Sequence, residues 1–472
     1  MALALANRVE LAPPLRTRLA RFDWAVLAVL VLSRLALLAV DAPHRAEIGR
    51  GELPYYEGIY PGLAEQLVTT GRYVYPPQEP DSDLRRPPGY PLVLAATYLV
   101  VGTGPSVAVL LWNVVGVVVL YLGLLRLLAA AGLRGRRAAA AVFAADLAWL
   151  LYTKEVTTEP VYTPFLVWGV VGLLNAARAT GVRPAVQAAA VSGALLGTSA
   201  LLKPVSLYLP VVVVPFLLAA RRDVWPALAL AAAFALCVGP WYVRNLVVHD
   251  ALSYTSIQND NLLFAHGAFV WADLHGLTHL DAQTQLDAEL TRRLAGRPAT
   301  YAVQNAAKAQ LAREVLGRHP LLYARAVVRG VAITLFDPGR LVFNRTFPTE
   351  DTRGIGLLNI VARDGVWGAF RALLAKSPLM VISLVLYIAF LAAVAAGAAA
   401  GVVPLLRAQP TAFWLLFLVT AYLLAIGGPN GYARFRLYVF PFELVFLQAG
   451  VEALGRWRAA RREVGTVRFA ST

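Results

Sequence analysis

About ten long apolar runs divide the chain, and charged residues gather at their ends. The runs fall near 24–40, 105–130, 138–152, 160–177, 186–202, 204–220, 225–242, 379–400, 411–426 and 436–453. Most hold enough consecutive apolar residues to cross a hydrocarbon layer roughly 30 Å thick. They are continuously apolar and do not alternate, which predicts helices in place of barrel strands. The runs 138–152 and 186–202 are short and rich in alanine. Short connectors carry arginine, whereas the long ones add Glu, Asp, Tyr, Asn and Pro. Ten crossings leave both ends of the chain on one side. Segments 41–104, 153–159, a tight turn near Lys203, 243–378 and 427–435 then face the other.

The two largest outer segments have patterns of their own. In 41–104, residues 60–70 read as an amphipathic helix with Leu63 and Leu67 on one face. A polar, proline-rich loop follows, and then the run 90–101, which is too short to span and is expected to lie at the interface. Segment 243–378 shows helical patterning at 280–294, 301–316 and 321–335. The expected organisation is a cytoplasmic segment 1–23, a transmembrane module 24–242 including outer loop 41–104, an extracytoplasmic loop or small helical subdomain 243–378, transmembrane helices in 379–453, and a basic cytoplasmic tail 454–472. No solenoid repeat, low-complexity tract or inverted repeat is visible.

Composition agrees with a polytopic membrane protein: 58% of the 472 residues are hydrophobic, against roughly 45–50% in soluble domains. Cys237 is the single cysteine and sits in an apolar run, which excludes a disulfide framework and a cysteine-based metal site. Residues 1–23 lack the pattern of a cleavable secretory signal. The net charge of +15 suggests nucleic acid only until its distribution is read. Arginine clusters at 16–21, 134–137, 178–183, 221–222, 407 and 456–462 all fall on one face, which the positive-inside rule makes cytoplasmic. No nucleic-acid partner is expected, while membrane lipids are.

The charges on the opposite face are the candidates for chemistry. Tyr55-Tyr56-Glu57-Gly58-Ile59-Tyr60 opens the amphipathic helix, where a carboxylate is favoured by the helix dipole whatever else it does. Arg85-Arg86-Pro87-Pro88-Gly89-Tyr90-Pro91 reads as a rigid entry turn, which accounts for the prolines but not the arginines. Lys154-Glu155-Val156-Thr157-Thr158-Glu159-Pro160 is a short loop with Pro160 in the first turn of the next helix. Two glutamates at that depth are costly without a use. Cations recur at outer helix ends: Lys203, Arg244 beside Asn245, Arg434 and Arg436. Snorkelling explains any one of them, and convergence on a phosphate explains the set. Asn259, Asp260, Asn261 and His266 follow Arg244. They suit helix capping, sugar contact or metal ligation, and a lone histidine of this kind is most often structural.

In order, these elements are a span with Arg34, a Tyr–carboxylate helix, Arg-Pro-Pro-Gly-Tyr-Pro, Thr-Glu-Pro, Lys-Pro, Pro-Trp-x-x-Arg-Asn and Arg-x-Arg. Together they resemble the GT-C superfamily of glycosyltransferases, the protein O-mannosyltransferase and aminoarabinose transferase branch, over residues 24–455. The resemblance implies an all-α, GT-C-like bundle of about ten transmembrane helices, up to twelve or thirteen, with interfacial helices in the first outer loop. It also implies a polyprenyl-phosphate sugar donor. The resemblance implies two catalytic acids, assigned to Glu57 and Glu159, and its second acidic position matches Glu159 better than Glu155. The usual first position is Tyr56 here, with the acid one residue later, so Glu57, Glu52 and Glu47 all stand as candidates for it. Lys203, Arg244, Arg434 and Arg436 match donor-phosphate positions. Tyr60, Arg86, Tyr90, Glu155, Asn245, Asn261 and His266 are assigned to substrate.

The function so implied is transfer of a sugar to an extracytoplasmic lipid, glycan or protein acceptor by inverting displacement, in a membrane such as the bacterial cytoplasmic (inner) membrane. A divalent metal ion is compatible with the carboxylates and His266, though the basic residues can suffice without one. Two rival readings are a non-catalytic sugar-lipid-binding relative and a lipid or solute transporter. Charges at the ends of spans, away from the midplane, favour the transferase over the transporter.

Overall fold

The computed structural model describes residues 19–48, 55–76, 82–103, 107–298, 300–339, 365–368, 370, 371, 374 and 378–469. Among these residues every regular element is helical. The first half holds α1 (Arg21–Ile48), α2 (Tyr55–Thr70), α3 (Gly89–Val101), α4 (Val107–Ala130), α5 (Arg137–Ala145) and α6 (Leu147–Leu151). It continues with α7 (Glu159–Arg178), α8 (Val182–Leu202), α9 (Pro210–Ala220) and α10 (Trp225–His249). Seven described helices are long and apolar enough to cross a bilayer, and the apolar helices α3, α9 and Pro410–Ile426 are shorter. The chain is thus an integral membrane protein built as a helical bundle.

The run 138–152 is not one helix. It breaks at Asp146, whose backbone is extended (ψ 114°) and whose Oδ1 accepts the Trp149 N–H at 2.8 Å. Asp146 therefore starts α6 while its other oxygen takes partners from elsewhere in the bundle. Arg34, inside α1, is buried and faces the bundle, with Nη1 donating to the Leu30 carbonyl at 3.1 Å.

The bundle packs α8 on α10, α7 on α8 and α4 on α7. Small residues let helix backbones approach closely where lipid removes any hydrophobic preference between helices. At Gly116 a Cβ would overlap the Pro160 carbonyl, so α4 seats directly against the start of α7. At Gly89 a Cβ would meet the Leu201 carbonyl at 2.6 Å. The first turn of α3 thus rests on the end of α8, one turn from Lys203.

Beyond α10 come α11 (Ile257–Asp260), a π-helical segment Asn261–Gly267, α12 (Ala268–His275), α13 (His279–Leu294), α14 (Tyr301–Arg318) and α15 (Pro320–Phe336). These helices enclose a second apolar core around Leu263, Leu286, Leu290, Leu311 and Val315. Thr278 caps α13 by accepting the Asp281 N–H at 3.2 Å. The described chain continues with α16 (Pro378–Ala408), α17 (Pro410–Ile426) and α18 (Ala433–Phe469), with α16 packed along α18.

Candidate active site

Three helix ends meet at Glu159. The residue opens α7, where Thr158 and Pro160 set the first turn, and its side chain is fully buried. A carboxylate at this end also gains from the helix dipole. Its Oε1 accepts from Lys203 Nζ and from Arg434 Nε, the latter at 2.5 Å. Lys203 caps α8, and the chain turns there into a single 3-10 turn, Pro204–Ser206. Arg434 lies in the first turn of α18. Antiparallel helices thus carry residues from distant parts of the sequence to one point.

The Lys203 ammonium also lies 4.8 Å from the Tyr438 ring centroid and 5.5 Å from that of Phe435. Such rings favour a cation where water is scarce. Burial pushes the Lys203 pKa down to about 8, Glu159 opposes that shift, and the charges of Arg434 and Arg86 add to it.

The first outer loop covers this cluster. Tyr60, from α2, packs edge to face on Tyr90, from α3, with centroids 5.2 Å apart. The Arg86 guanidinium stands 5.4 Å from the Tyr60 centroid. Burial raises the Tyr90 hydroxyl well above the usual phenol range. Tyr60 and Glu159 add to the shift and Arg434 opposes it, so the ring lies within electrostatic reach of the cluster. Arg86 is only 5% exposed, donates one hydrogen bond of 3.4 Å to the Arg85 carbonyl, and has no acceptor at Nε. Glu159, Lys203, Arg434, Tyr60, Arg86 and Tyr90 form one neighbourhood with a surplus of positive charge. Each cation keeps N–H groups beyond those used on Glu159.

Other candidates stand elsewhere. Arg244 pairs with Asp83, an acid of the first outer loop, whose Oδ2 also meets His249 Nε2 at 2.9 Å. Arg244 further donates to the Asn245 Oδ1 at 3.0 Å and lies over Trp241. Asn245 donates to the carbonyls of Ser253 at 2.8 Å and Tyr254 at 3.2 Å, which fixes the turn after α10. Arg436 does not join Glu159. It donates to the Tyr387 hydroxyl at 2.6 Å and the Asp337 carbonyl at 3.1 Å, with Asp146 3.7 Å away. Glu155 is buried in a loop that Asn113 holds through the carbonyls of Thr153 and Glu155, at 2.8 and 2.9 Å.

His266 Nδ1 meets the Tyr323 hydroxyl at 3.0 Å, and its ring fills the space beside Gly428. Burial lowers its pKa to about 4, which keeps the imidazole neutral at ordinary pH. Asn261 is exposed and lines a cavity with Arg86 and Gln283. Glu52 and the side chains of Glu47 and Glu57 lie outside the described residues, although the backbone of Glu57 is in the first turn of α2. Among the described residues, no three His, Cys, Asp or Glu side chains gather as a metal site. Asp83 and Asp146 were not singled out in the sequence. The only signal for Asp83 is its place two residues before the Arg85-Arg86 pair.

No family model and no curated protein matches the chain. Among solved structures, it is similar to the archaeal oligosaccharyltransferase AglB from Archaeoglobus fulgidus, in complex with an inhibitory peptide and a dolichol-phosphate. Identity there is 13%, the match covers 95% of this chain and 52% of that one, and the TM-score is 0.46. The chain spans about half the length of that AglB chain. It is also similar to apo ArnT from Cupriavidus metallidurans, at 16% identity over 92% of this chain and 77% of that one, with a TM-score of 0.34. At these TM-scores the chemistry rests on the residues of this chain and not on the superposition.

Proposed function

We propose that the protein is a membrane glycosyltransferase that moves a sugar from a polyprenyl-phosphate donor to an extracytoplasmic acceptor. The observation that carries this reading is the buried Glu159 held by Lys203 and Arg434 at a junction of helix ends beneath the aromatic cover of the first outer loop. A lipid with an isoprenoid tail keeps its phosphate at the interface, and in support Glu159 opens one candidate span while Lys203 follows the end of another. No nucleotide-binding glycine fingerprint competes with this assignment in the sequence. The domain roles follow: the module 24–242 and the helices of 379–453 supply the site, and segment 243–378 shapes the acceptor side.

The reaction breaks the bond between the anomeric carbon and the phosphate oxygen, and forms one from that carbon to an acceptor hydroxyl or amine on the opposite face. The anomeric centre inverts, the acceptor's proton passes to a carboxylate, and polyprenyl phosphate leaves. Lys203 and Arg434, with Arg86 nearby, stabilise the charge that grows on the departing phosphate. Glu57 is the proposed base, a role worth roughly 10²–10⁴-fold. Glu159 holds the two cations in register and can accept from sugar hydroxyls. His266 and Asn245 serve packing and turn geometry in place of substrate contact.

The test is release of polyprenyl phosphate by the purified protein in nanodiscs supplied with polyprenyl-phosphate sugars and a panel of saccharide, peptide and lipid acceptors. Release by the wild type and a drop of about 10²–10³ in kcat for Arg434→Ala, the cost of losing one such donor, are expected. Absence of release from every polyprenyl donor overturns the transferase reading.

A further inference from the structure

Between the first outer loop and the outer helices lies a cavity of about 380 Å³. Arg86 and Ile59 line one wall, Asn261, Phe264 and Gln283 another, and Asn430 comes from the loop before α18. The volume lies within the ligand-pocket range of about 300–1,000 Å³. Its lining combines the guanidinium groups of Arg85 and Arg86 with side-chain amides. The side-chain amides of Asn261 and Asn430 bond to no other protein group among the described residues. Gln283 Nε2 donates to the Phe264 carbonyl at 2.7 Å and meets His279 Nε2 at 3.2 Å, which fixes the amide and leaves its Oε1 without a protein donor. Asp260, at the rim, is neutralised by Lys308 at 2.7 Å. The amide groups of Asn261 and Asn430 can donate and accept, and the Gln283 oxygen can accept; beside guanidinium groups and an aromatic ring they suit the hydroxyls and C–H face of a sugar. An acyl chain would need a continuous apolar lining, and an extended peptide would need an open groove.

Resting on the transferase reading, we infer that this cavity is the acceptor site and that the acceptor it takes is a saccharide, whether free or at the head of a glycolipid. Arg86 is the shared wall. It borders the cavity and, through Tyr60 and its effect on Lys203, the Glu159 cluster. None of Glu159, Lys203, Arg434 or Tyr90 lines the cavity, although a donor sugar undergoing displacement must touch such groups. Its occupant is therefore the second substrate, with its reactive hydroxyl directed past Arg86.

The experiment measures donor-dependent transfer to four acceptors: a free disaccharide, the same disaccharide on a lipid, a hydroxyl-bearing peptide and a phospholipid. Transfer to the disaccharide in either form is expected. Gln283→Leu and, separately, Asn430→Leu should raise its KM at least tenfold while the KM for donor moves less than twofold. Transfer to peptide or phospholipid alone overturns the inference. So does a rise in donor KM, which would make the cavity a donor-sugar site, or a saccharide KM that neither variant changes. Saturation-transfer NMR with the free disaccharide reads the site without turnover. A signal lost in both variants supports the assignment even if the proposed donor is wrong, and an unchanged signal overturns it.

Discussion

Glu159 meets two cations through a single oxygen, and that geometry sets a pH dependence. The Lys203 ammonium, with its pKa lowered to about 8 by burial, is charged below that pH and neutral above it. Phosphate binds the charged form. Affinity for polyprenyl phosphate should therefore fall as pH rises through about 8, and binding above that pH should take up a proton. Glu159 works against burial by favouring the charged lysine. Glu159→Gln removes that support, so the same transition should move to lower pH. Titrating polyprenyl-phosphate affinity from neutral to alkaline pH in both proteins checks this. A transition unmoved by the substitution belongs to another group.

At the scale of elements, most of the bundle was legible because apolar run length is a strong signal. The runs near 160–177, 225–242 and 411–426 appear as Glu159–Arg178, Trp225–His249 and Pro410–Ile426. Helices expected at 280–294 and 301–316 are His279–Leu294 and Tyr301–Arg318. The break at Asp146 was not legible, because an alanine-rich run reads as helix and the acid's side-chain partners, Tyr387 and Arg436, lie 241 and more residues away. Arg436 was grouped with Arg434 by its motif, but residues two apart on a helix do not face the same way. Arg434 reaches Glu159, and Arg436 turns to Tyr387 and Asp146. The Tyr387 hydroxyl donates to Asp146 Oδ2 at 3.0 Å and accepts from both Ala148 N–H, at 3.0 Å, and Arg436. Tyr387→Phe deletes the group that joins α6, α16 and α18. It should destabilise the protein by about 1–3 kcal/mol, the cost of leaving buried polar partners unsatisfied. Thermal unfolding in detergent measures it, and an unchanged midpoint would show that water or a rearranged Arg436 takes the hydroxyl's place.

Across the whole molecule, the first outer loop must hold its position over the bundle while touching both the Glu159 cluster and the outer cavity. One attachment is covalently remote: Asp83 is 161 residues from Arg244 and 166 from His249. The Leu84 carbonyl also accepts the Ser256 N–H at 2.8 Å, and the Tyr73 hydroxyl donates to the Arg86 and Pro87 carbonyls, each at 3.2 Å. These bonds pin the turn that carries Arg86 to the end of α10. The sequence placed Arg244 on the donor phosphate, and no local pattern could reveal Asp83 as its partner. Two substitutions separate a clamp from a phosphate ligand. If Arg244 clamps the loop, Arg244→Ala and Asp83→Asn should act alike, with faster amide exchange across residues 82–90 and weaker binding of both substrates. If Arg244 instead binds phosphate directly, Asp83→Asn should release it and tighten donor binding, while Arg244→Ala weakens it. Hydrogen exchange by mass spectrometry, read beside donor affinity for the two variants, decides between these outcomes. The buried Asp83, only 4% exposed and bonded on one oxygen to two basic side chains, favours the clamp.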